Sequence, residues 1–401
     1  MARETVATRA EAPDAGANGT EAQRLLRCPK HMLHGPCGGV EGDNCEVPGY
    51  ACPWGTAFVK AEARGRTTDH LVARLSKPPT RHGLEPAPAA PVSASHLERV
   101  VRSGQFAVTA ELGPPKSADA EKIRKKSEIL RGTCDAINIT DNQIGIVRMS
   151  SLAAGVILIS EGLEPVLQFT CRDRNRLALQ SDLLGAAALG IRTVLLLTGD
   201  HQTFGNHPEA KGVWDLDSVK LIQMLKRMRD AGEFENGEPL DGLRPSFFIG
   251  AAENPCGEPR EFRAPRLGKK TEAGADFCQT QSIYDVPRFA DWMRQVRDLG
   301  LHERCAILAG ITPLRSASGA RHVNAGVPGL DVPEPIIQRL ERAGNRKAQR
   351  REGIRVAVET VQQLRQIPGV AGVHLMPVHW ERSVPIITEE AGLLPRPPVA
   401  V

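Results

Sequence analysis

The sequence predicts an α/β protein: a (βα)8 TIM barrel preceded by a small Cys-rich metal-binding module. Three observations predict it. Short, nearly continuous apolar runs rich in β-branched residues recur eight times between residues 106 and 378, the signature of parallel strands buried on both faces. Stretches of helical period lie between them. Four of the nine cysteines crowd into one Gly- and Pro-rich window near the N-terminus. Eight strand–helix units over about 300 residues suit a closed barrel. An open doubly wound sheet is the competitor, weakened because no GxGxxG follows any of the runs.

Residues 1–24 carry Glu4, Glu11, Asp14 and Glu21 and no apolar segment. They read as a disordered arm, neither a secretory signal nor a transit peptide, which leads us to expect a cytoplasmic protein with reduced thiols. Residues 25–76 form the module. Cys28, Cys37, Cys45 and Cys52 are spaced C-x8-C-x7-C-x6-C, in a segment too poor in apolar residues to fold on its own core, so something must staple it. Four thiolates suit a tetrahedral zinc or a [4Fe–4S] cluster, with His31 and His34 as substitutes for one of them. Ala57 to Ser76 reads as one short helix, and 77–95 as a Pro/Ala-rich linker. The barrel is expected over 96–394 and a loose tail over 395–401.

Within the barrel the predicted strands are Phe106–Leu112, Asp135–Thr140, Pro165–Thr170, Thr193–Thr198, Ser246–Ala251, Phe277–Thr280, Cys305–Ile311 and Gly372–Val378. The first helix, Ala118–Leu130, follows Ser117 as an N-cap with Glu121 behind it. Leu177–Leu189 ends at Gly190, Leu216–Met228 starts after Asp215, and Val286–Leu299 and Ile354–Ile367 repeat the helical spacing. The scattered Cys134, Cys171, Cys256, Cys278 and Cys305 read as core residues.

A basic excess of 51 − 47 = +4 with only 4% aromatics argues against a nucleic-acid protein that works by charge and stacking. No apolar run approaches the roughly 20 residues that span a bilayer, which excludes an integral membrane protein.

A barrel builds its active site at the carboxyl ends of its strands, and here those ends are polar. They offer Glu111, the run Thr140–Asp141–Asn142–Gln143, the run Thr170–Cys171–Arg172–Asp173, Asp200 with His201, Glu253 with Asn254, then Gln281, Thr312 and His379. Most such residues simply begin loops, and Asn142 and Asp173 suit helix caps. Glu111 and Asp200 are sharper candidates, because each directly follows an apolar run. Desolvation there raises a carboxyl pKa and makes a general acid, and two nearby carboxylates can divide into one protonated and one ionised.

AELGPPK (110–116), INITDNQ (137–143), RMSSLAAG (148–155), QFTCRDRNRLALQSDLLGA (168–186), LLTGDH (196–201) and TQSIYD (280–285) resemble methylenetetrahydrofolate reductase, in order, from about Phe106 to His379. The likeness is strongest to the branch found in acetogenic bacteria. Where the commoner branch has a Gly-rich segment after the second strand, this chain has TDNQIGIVRMSS. The window with CPK, GPCGG and two further cysteines is similar to the small metal-binding partner of the acetogenic reductase, here fused in front.

The resemblance implies a flavin-dependent enzyme (FAD, or FMN) that passes a hydride to 5,10-methylenetetrahydrofolate to give 5-methyltetrahydrofolate, or runs the reverse. Glu111 matches the acid that protonates N10, and both it and Gln281 match substrate-binding residues. Asp200 matches the carboxylate near flavin and pterin, Thr170 a flavin-contacting threonine, and Lys270 a lysine near the flavin phosphate. The family's aromatic residue after the seventh strand and arginine after the eighth are replaced by Ala317 and Trp380, and Asp141 and Asn142 stay unassigned. The electron donor is NAD(P)H or an electron-transfer protein, and a homo-oligomer is expected. The alternatives are a folate-dependent methyltransferase on a pterin-binding barrel, which would purify colourless, and a non-catalytic metal-binding interaction module.

Overall fold

The computed structural model describes residues 28–55, 92–327 and 329–398. The N-terminal arm, the helix expected at Ala57–Ser76, the linker up to residue 91 and the last three residues lie outside the described residues.

The elements after the module run α1 (His96–Arg102), β1 (Ala107–Leu112), α2 (Glu121–Leu130), β2 (Ala136–Ile139), α3 (Ser151–Ser160), β3 (Pro165–Thr170), α4 (Arg176–Ala188), β4 (Thr193–Leu197) and α5 (Ser218–Asp230). They continue with β5 (Phe248–Glu253), α6 (Arg263–Ala273), β6 (Phe277–Ser282), α7 (Val286–Asp298), β7 (Ala306–Ile311), α8 (Ala317–Gly326), α9 (Glu334–Arg342), α10 (Arg346–Leu364), β8 (Val370–Leu375) and α11 (Ser383–Glu390). The eight strands close into one parallel barrel in sequence order, β1 pairing with both β2 and β8. The open-sheet alternative is thereby excluded. Strands buried on both faces need side chains that pack both inward and against the helix ring. The runs AINI and TVLLL supply them, and the main apolar cluster lies between barrel and helices.

Inside the barrel is a polar layer. The Gln279 amide donates to Thr109 Oγ1 (2.9 Å) and Asn138 Oδ1 (3.0 Å), the Asn138 amide donates to Gln279 Oε1 (2.6 Å), and Thr109 Oγ1 lies 2.9 Å from His374 Nδ1. All four side chains are buried. Satisfying one another is what lets polar groups sit there. The amino end of the barrel is plugged by α1, whose Leu97 and Val100 pack on Ala107, Val166, Phe248 and Leu308. Ser95 caps α1, and Glu164 accepts from its Oγ (2.7 Å) and from Leu97 N (3.1 Å).

Several boundaries differ from expectation. α2 starts at Glu121 from Ala120 with no side-chain cap, because Asp119 rather than Ser117 accepts the Glu121 N–H (3.0 Å). α5 is capped by Asp217, since Asp215 is taken by Arg176. α3 and α4 are capped by Ser150 and Asn175, so Asn142 and Asp173 do not cap them. β8 stops at Leu375, because Pro377 has no N–H and Val378 and His379 adopt positive φ (41° and 61°). The tail is not loose at Arg396, whose guanidinium pairs with the buried Asp135 (2.6 Å) and donates to Phe106 O (2.8 Å). Cys171, Cys256, Cys278 and Cys305 are buried, while Cys134 is only half-buried.

Candidate active site

β1 ends in Glu111 and Leu112, with Glu111 beside Asn138 in the register. The Glu111 carboxyl is pushed up to about 7: burial is the largest cause and the charge of Asp200 adds, against the Arg148 guanidinium and a hydrogen bond from Gln143. A carboxylic acid tuned there holds a proton for part of the time at neutral pH, as a general acid requires. Asp200 follows β4 on an exposed loop, and its Oδ2 accepts the Ile144 N–H at 2.9 Å. The predicted carboxylate pair is therefore brought together, with the loop after β2 between them.

A buried arginine ties these loops from beneath. Arg172, 2% exposed, pairs with Asp173 (2.7 Å) and donates to Asp200 O (3.1 Å) and Asn142 O (3.1 Å). Asp141 is a second anchor. Its Oδ2 accepts from Thr170 N (2.9 Å), Thr170 Oγ1 (3.0 Å) and Arg174 Nη1 (2.7 Å). This strand-end carboxylate is buried and saturated, so it is structural. Thr170 is buried with it and spends its hydroxyl proton on Asp141 rather than facing the mouth.

Gln281 is exposed at the end of β6. The β6–β7 register shifts between Gln279 and Ser282, a bulge that re-aims a side chain. Gly310 permits it, since a Cβ there would meet Thr280 O at 2.1 Å. Lys270 lies elsewhere. It is buried on α6, where its ammonium binds Ala252 O and Glu253 Oε2 (3.0 Å). Burial lowers its pKa, and Glu253 opposes the shift. Around β7 and β8, Arg315 rather than Ala317 is the polar group present, and its guanidinium stacks over Trp380 at 5.7 Å.

Orphaned polar atoms mark the mouth. The buried Thr140 Oγ1, Arg148 Nε and Gln202 Oε1 have no hydrogen-bond partner among the described residues. Above β1, a Cβ on Gly113 would meet only the Thr140 hydroxyl, at 3.9 Å. Exposed Ile144, Val147, Phe204 and Val213 supply apolar surface on the loops after β2 and β4. An open floor with unsatisfied polar atoms and apolar neighbours fits a planar heteroaromatic group with a polar edge.

The module docks beside this mouth. Asp217 Oδ2 accepts from Leu33 N (3.2 Å), His34 N (3.2 Å) and His34 Nδ1 (2.7 Å). Burial opposes the charge on Asp217, yet the His34 contacts win and its pKa falls to about 2. Arg263 donates to Cys37 O (3.2 Å), Arg266 to Gly35 O (3.4 Å) and Asn254 to Gly38 O (3.3 Å). His31 Nδ1 is 3.4 Å from Trp214 O, so both histidines serve the docking and leave the thiols as the donor set.

Cys28 and Cys52 are buried, Cys37 and Cys45 half-buried, and none of the four is in a disulfide. Burial pushes Cys45 up to about 11 and Cys52 to about 12, while N–H groups of Val47, Trp54 and Gly55 pull down. Cys28, Cys45 and Cys52 each feel the charge of Cys37. The expected ligand set thus shares one neighbourhood. Even so, among the described residues no three His, Cys, Asp or Glu side chains converge closely enough to hold a metal ion.

Sequence reasoning did not assign Arg148, Gln143 or Asp217. Arg148 and Gln143 gain their role from the loop's path, which no local pattern encodes. Asp217 was legible only as a second aspartate before an apolar helix.

A model described as methylenetetrahydrofolate reductase matches residues 96–392, and one described as methylene-tetrahydrofolate reductase C terminal matches residues 23–79. A probable methylenetetrahydrofolate reductase (NADPH) of Caenorhabditis elegans is 25% identical over 74% of this chain and 44% of its own length. A methylenetetrahydrofolate reductase (NADH) of Arabidopsis thaliana is 28% identical over 74% of this chain and 50% of its own. The chain thus spans half or less of the length of these relatives. Among solved structures, an uncharacterized Clostridium thermocellum protein that binds two copies of 5-methyl-5,6,7,8-tetrahydrofolic acid shares the fold, with a TM-score of 0.54 at 13% identity, over 75% of this chain and 100% of that one.

Proposed function

The chain belongs to the methylenetetrahydrofolate reductase family through residues 96–392, and from that premise we propose that it reduces 5,10-methylenetetrahydrofolate to 5-methyltetrahydrofolate, or runs the reverse. The observation that carries the reading is the unlike carboxylate pair: Glu111 raised to about 7 beside Asp200, whose oxygen already accepts an N–H. Glu111 gives its proton to N10 of the folate, opening the five-membered ring to an iminium ion. Asp200 is the polar group held at the mouth by the Ile144 N–H, next to flavin and pterin in this reading. Gln281, turned out by the bulge, hydrogen-bonds the pterin.

The floor at Gly113, Thr140 and the β2 and β4 loops would hold a flavin, FAD or FMN, which supplies hydride chemistry when bound. Thr170 enters from behind this floor through Asp141, and Lys270 from under the module through Glu253, because their own polar atoms are already engaged. The donor is NAD(P)H or an electron-transfer protein. Zinc or a [4Fe–4S] cluster at Cys28, Cys37, Cys45 and Cys52 would require these side chains to draw closer together than the described residues place them, with the N–H groups of Val47, Trp54 and Gly55 available to the bound thiolates. Exposed Leu177 on α4 and Leu189 just past its end suit a homo-oligomer. Among the described residues no helix is long and apolar enough to cross a membrane, and a cytoplasmic location is part of the proposal.

The test is Glu111→Gln in the flavin-loaded protein. Flavin reduction by the donor should persist and folate turnover should fall by about 100-fold or more, the usual worth of a positioned acid. Folate turnover in the wild type should also decline above about pH 7 as Glu111 loses its proton. A protein that purifies colourless and takes up no added flavin sinks the reading and favours the methyltransferase. Metal analysis of the same sample separates zinc from iron.

A further inference from the structure

The loop 142–148 follows β2 and leads into α3. Its backbone is unusual. Asn142 and Ile144 both adopt left-handed conformations, with φ of 46° and 57°. For a β-branched residue this is an outlier, and such strain persists only where the surroundings over-determine it. Burial does not hold Ile144, which is 48% exposed.

What holds the loop is a set of bonds. Gly145 N donates to Asn142 O (2.9 Å), Ile144 N to Asp200 Oδ2 (2.9 Å), Val147 N to Asn206 Oδ1 (3.1 Å) and Arg148 N to Asn142 Oδ1 (3.0 Å). It also presses on the loop after β4 so closely that a Cβ on Gly205 would meet Gly145 O at 1.9 Å. Arg148 Nη1 then reaches across to Pro114 O (3.0 Å), three residues past Glu111, while its buried Nε has no hydrogen-bond partner.

We propose that this loop is a positioning clamp for the carboxylate pair, with Arg148 and Gln143 acting on Glu111 and the Ile144 N–H acting on Asp200. The proposal rests on Glu111 being the proton donor. A cation and an amide next to Glu111 stabilise its ionised form and so limit how far burial raises its proton affinity. The groups that act on Glu111 are Arg148, Asp200 and Gln143. Asp200 in turn acts on Arg172 and on Lys30 of the module. Beyond Arg148, His379 feels Lys126, Arg148, Glu381 and Arg315. Arg148 is therefore a cation whose charge reaches both Glu111 and His379.

The experiment follows folate-dependent oxidation of reduced flavin, from about pH 6 to about pH 9, in flavin-loaded wild type, Arg148→Met, Arg148→Lys and Glu111→Gln. Arg148→Met should move the high-pH limb upward by about one pH unit, a tenfold change in relative rate at its alkaline end. Arg148→Lys should bring the limb back, and Glu111→Gln should abolish the step. A merely structural Arg148 would lower the rate at every pH without moving the limb. An unmoved limb with Glu111→Gln inactive overturns the clamp and leaves the donor reading intact, whereas an active Glu111→Gln overturns the donor reading itself. Should Arg148→Met fail to fold, Gln143→Leu at a half-buried loop position should shift the limb the same way by less, and no shift counts equally against the clamp. Ile144→Pro, which removes the N–H and forbids the observed φ, should slow this oxidation of reduced flavin at every pH. An unchanged rate in a folded Ile144→Pro protein refutes the Asp200 half.

Discussion

Lowering the pH from about 7 to about 5 should destabilise the barrel through one histidine. His374 sits inside it on β8, 3% exposed, and burial lowers its pKa to about 3 with no charge nearby to offset the cost. The Gln279 amide donates to Thr109 Oγ1 and the Thr109 hydroxyl donates its one proton to His374 Nδ1, an assignment that satisfies the network with a neutral ring. The folded value lies below the ordinary 6.5. Between the two, the unfolded chain binds a proton that the folded chain refuses, so stability falls as the pH drops through that window. At 1.36 kcal/mol per unit, the step from about pH 7 to about pH 5 costs about 2 kcal/mol from this group alone. The figure barely changes if the folded value is a unit higher, because both lie below pH 5.

The assay is urea unfolding at both pH values for wild type and His374→Gln, which cannot titrate. Wild type should lose about 2 kcal/mol more than the variant on acidification, although the variant starts less stable because it disturbs a satisfied polar layer. Equal losses would refute the neutral buried ring and the network drawn around it.

Two further outcomes test packing and docking. Asp217→Ala should loosen the module, because it removes the α5 cap and strands the Leu33 and His34 N–H groups, at a cost of roughly 1–3 kcal/mol per buried group; proteolysis within residues 28–55 should rise while the barrel's circular dichroism holds, and unchanged resistance would deny Asp217 its anchoring role. Gly353→Ala should destabilise by about 1–3 kcal/mol or more, since the new Cβ would lie 1.7 Å from Leu314 O; a thermal midpoint equal to wild type would show that α10 can move away from the loop after β7.

The strands were legible because a barrel strand needs apolar side chains on both faces, and few other elements show short, solid runs such as VLQFT and VLLL. Two of the helices that went unpredicted failed for opposite physical reasons. α3, SLAAGVILIS, is apolar all round and shows no face. α6, RAPRLGKKTEA, looks like a solvated surface helix, yet Arg263, Arg266 and Lys270 are buried around Glu253 under the module. Their charge is balanced by a carboxylate from β5 and by module carbonyls, neither of which is local in sequence. At the site, Glu111, Asp200 and Gln281 could be placed from strand ends alone. The Arg148 contact could not, because it depends on a loop whose left-handed turn at Ile144 runs against that residue's own preference.

The seat of the module has a consequence for synthesis. Residues 28–55 leave the ribosome before the barrel, and their partners Asp217, Asn254, Glu258, Arg263 and Arg266 lie between 183 and 231 residues later. At elongation rates of about 5–20 residues per second, the segment waits roughly ten seconds or more before α6 exists to receive it. Through that interval its thiols are exposed and its loops have no barrel to lean on. Whatever staples the segment, if it binds early, arrives while the nascent chain is still tethered, and the finished barrel then closes against a unit already shaped.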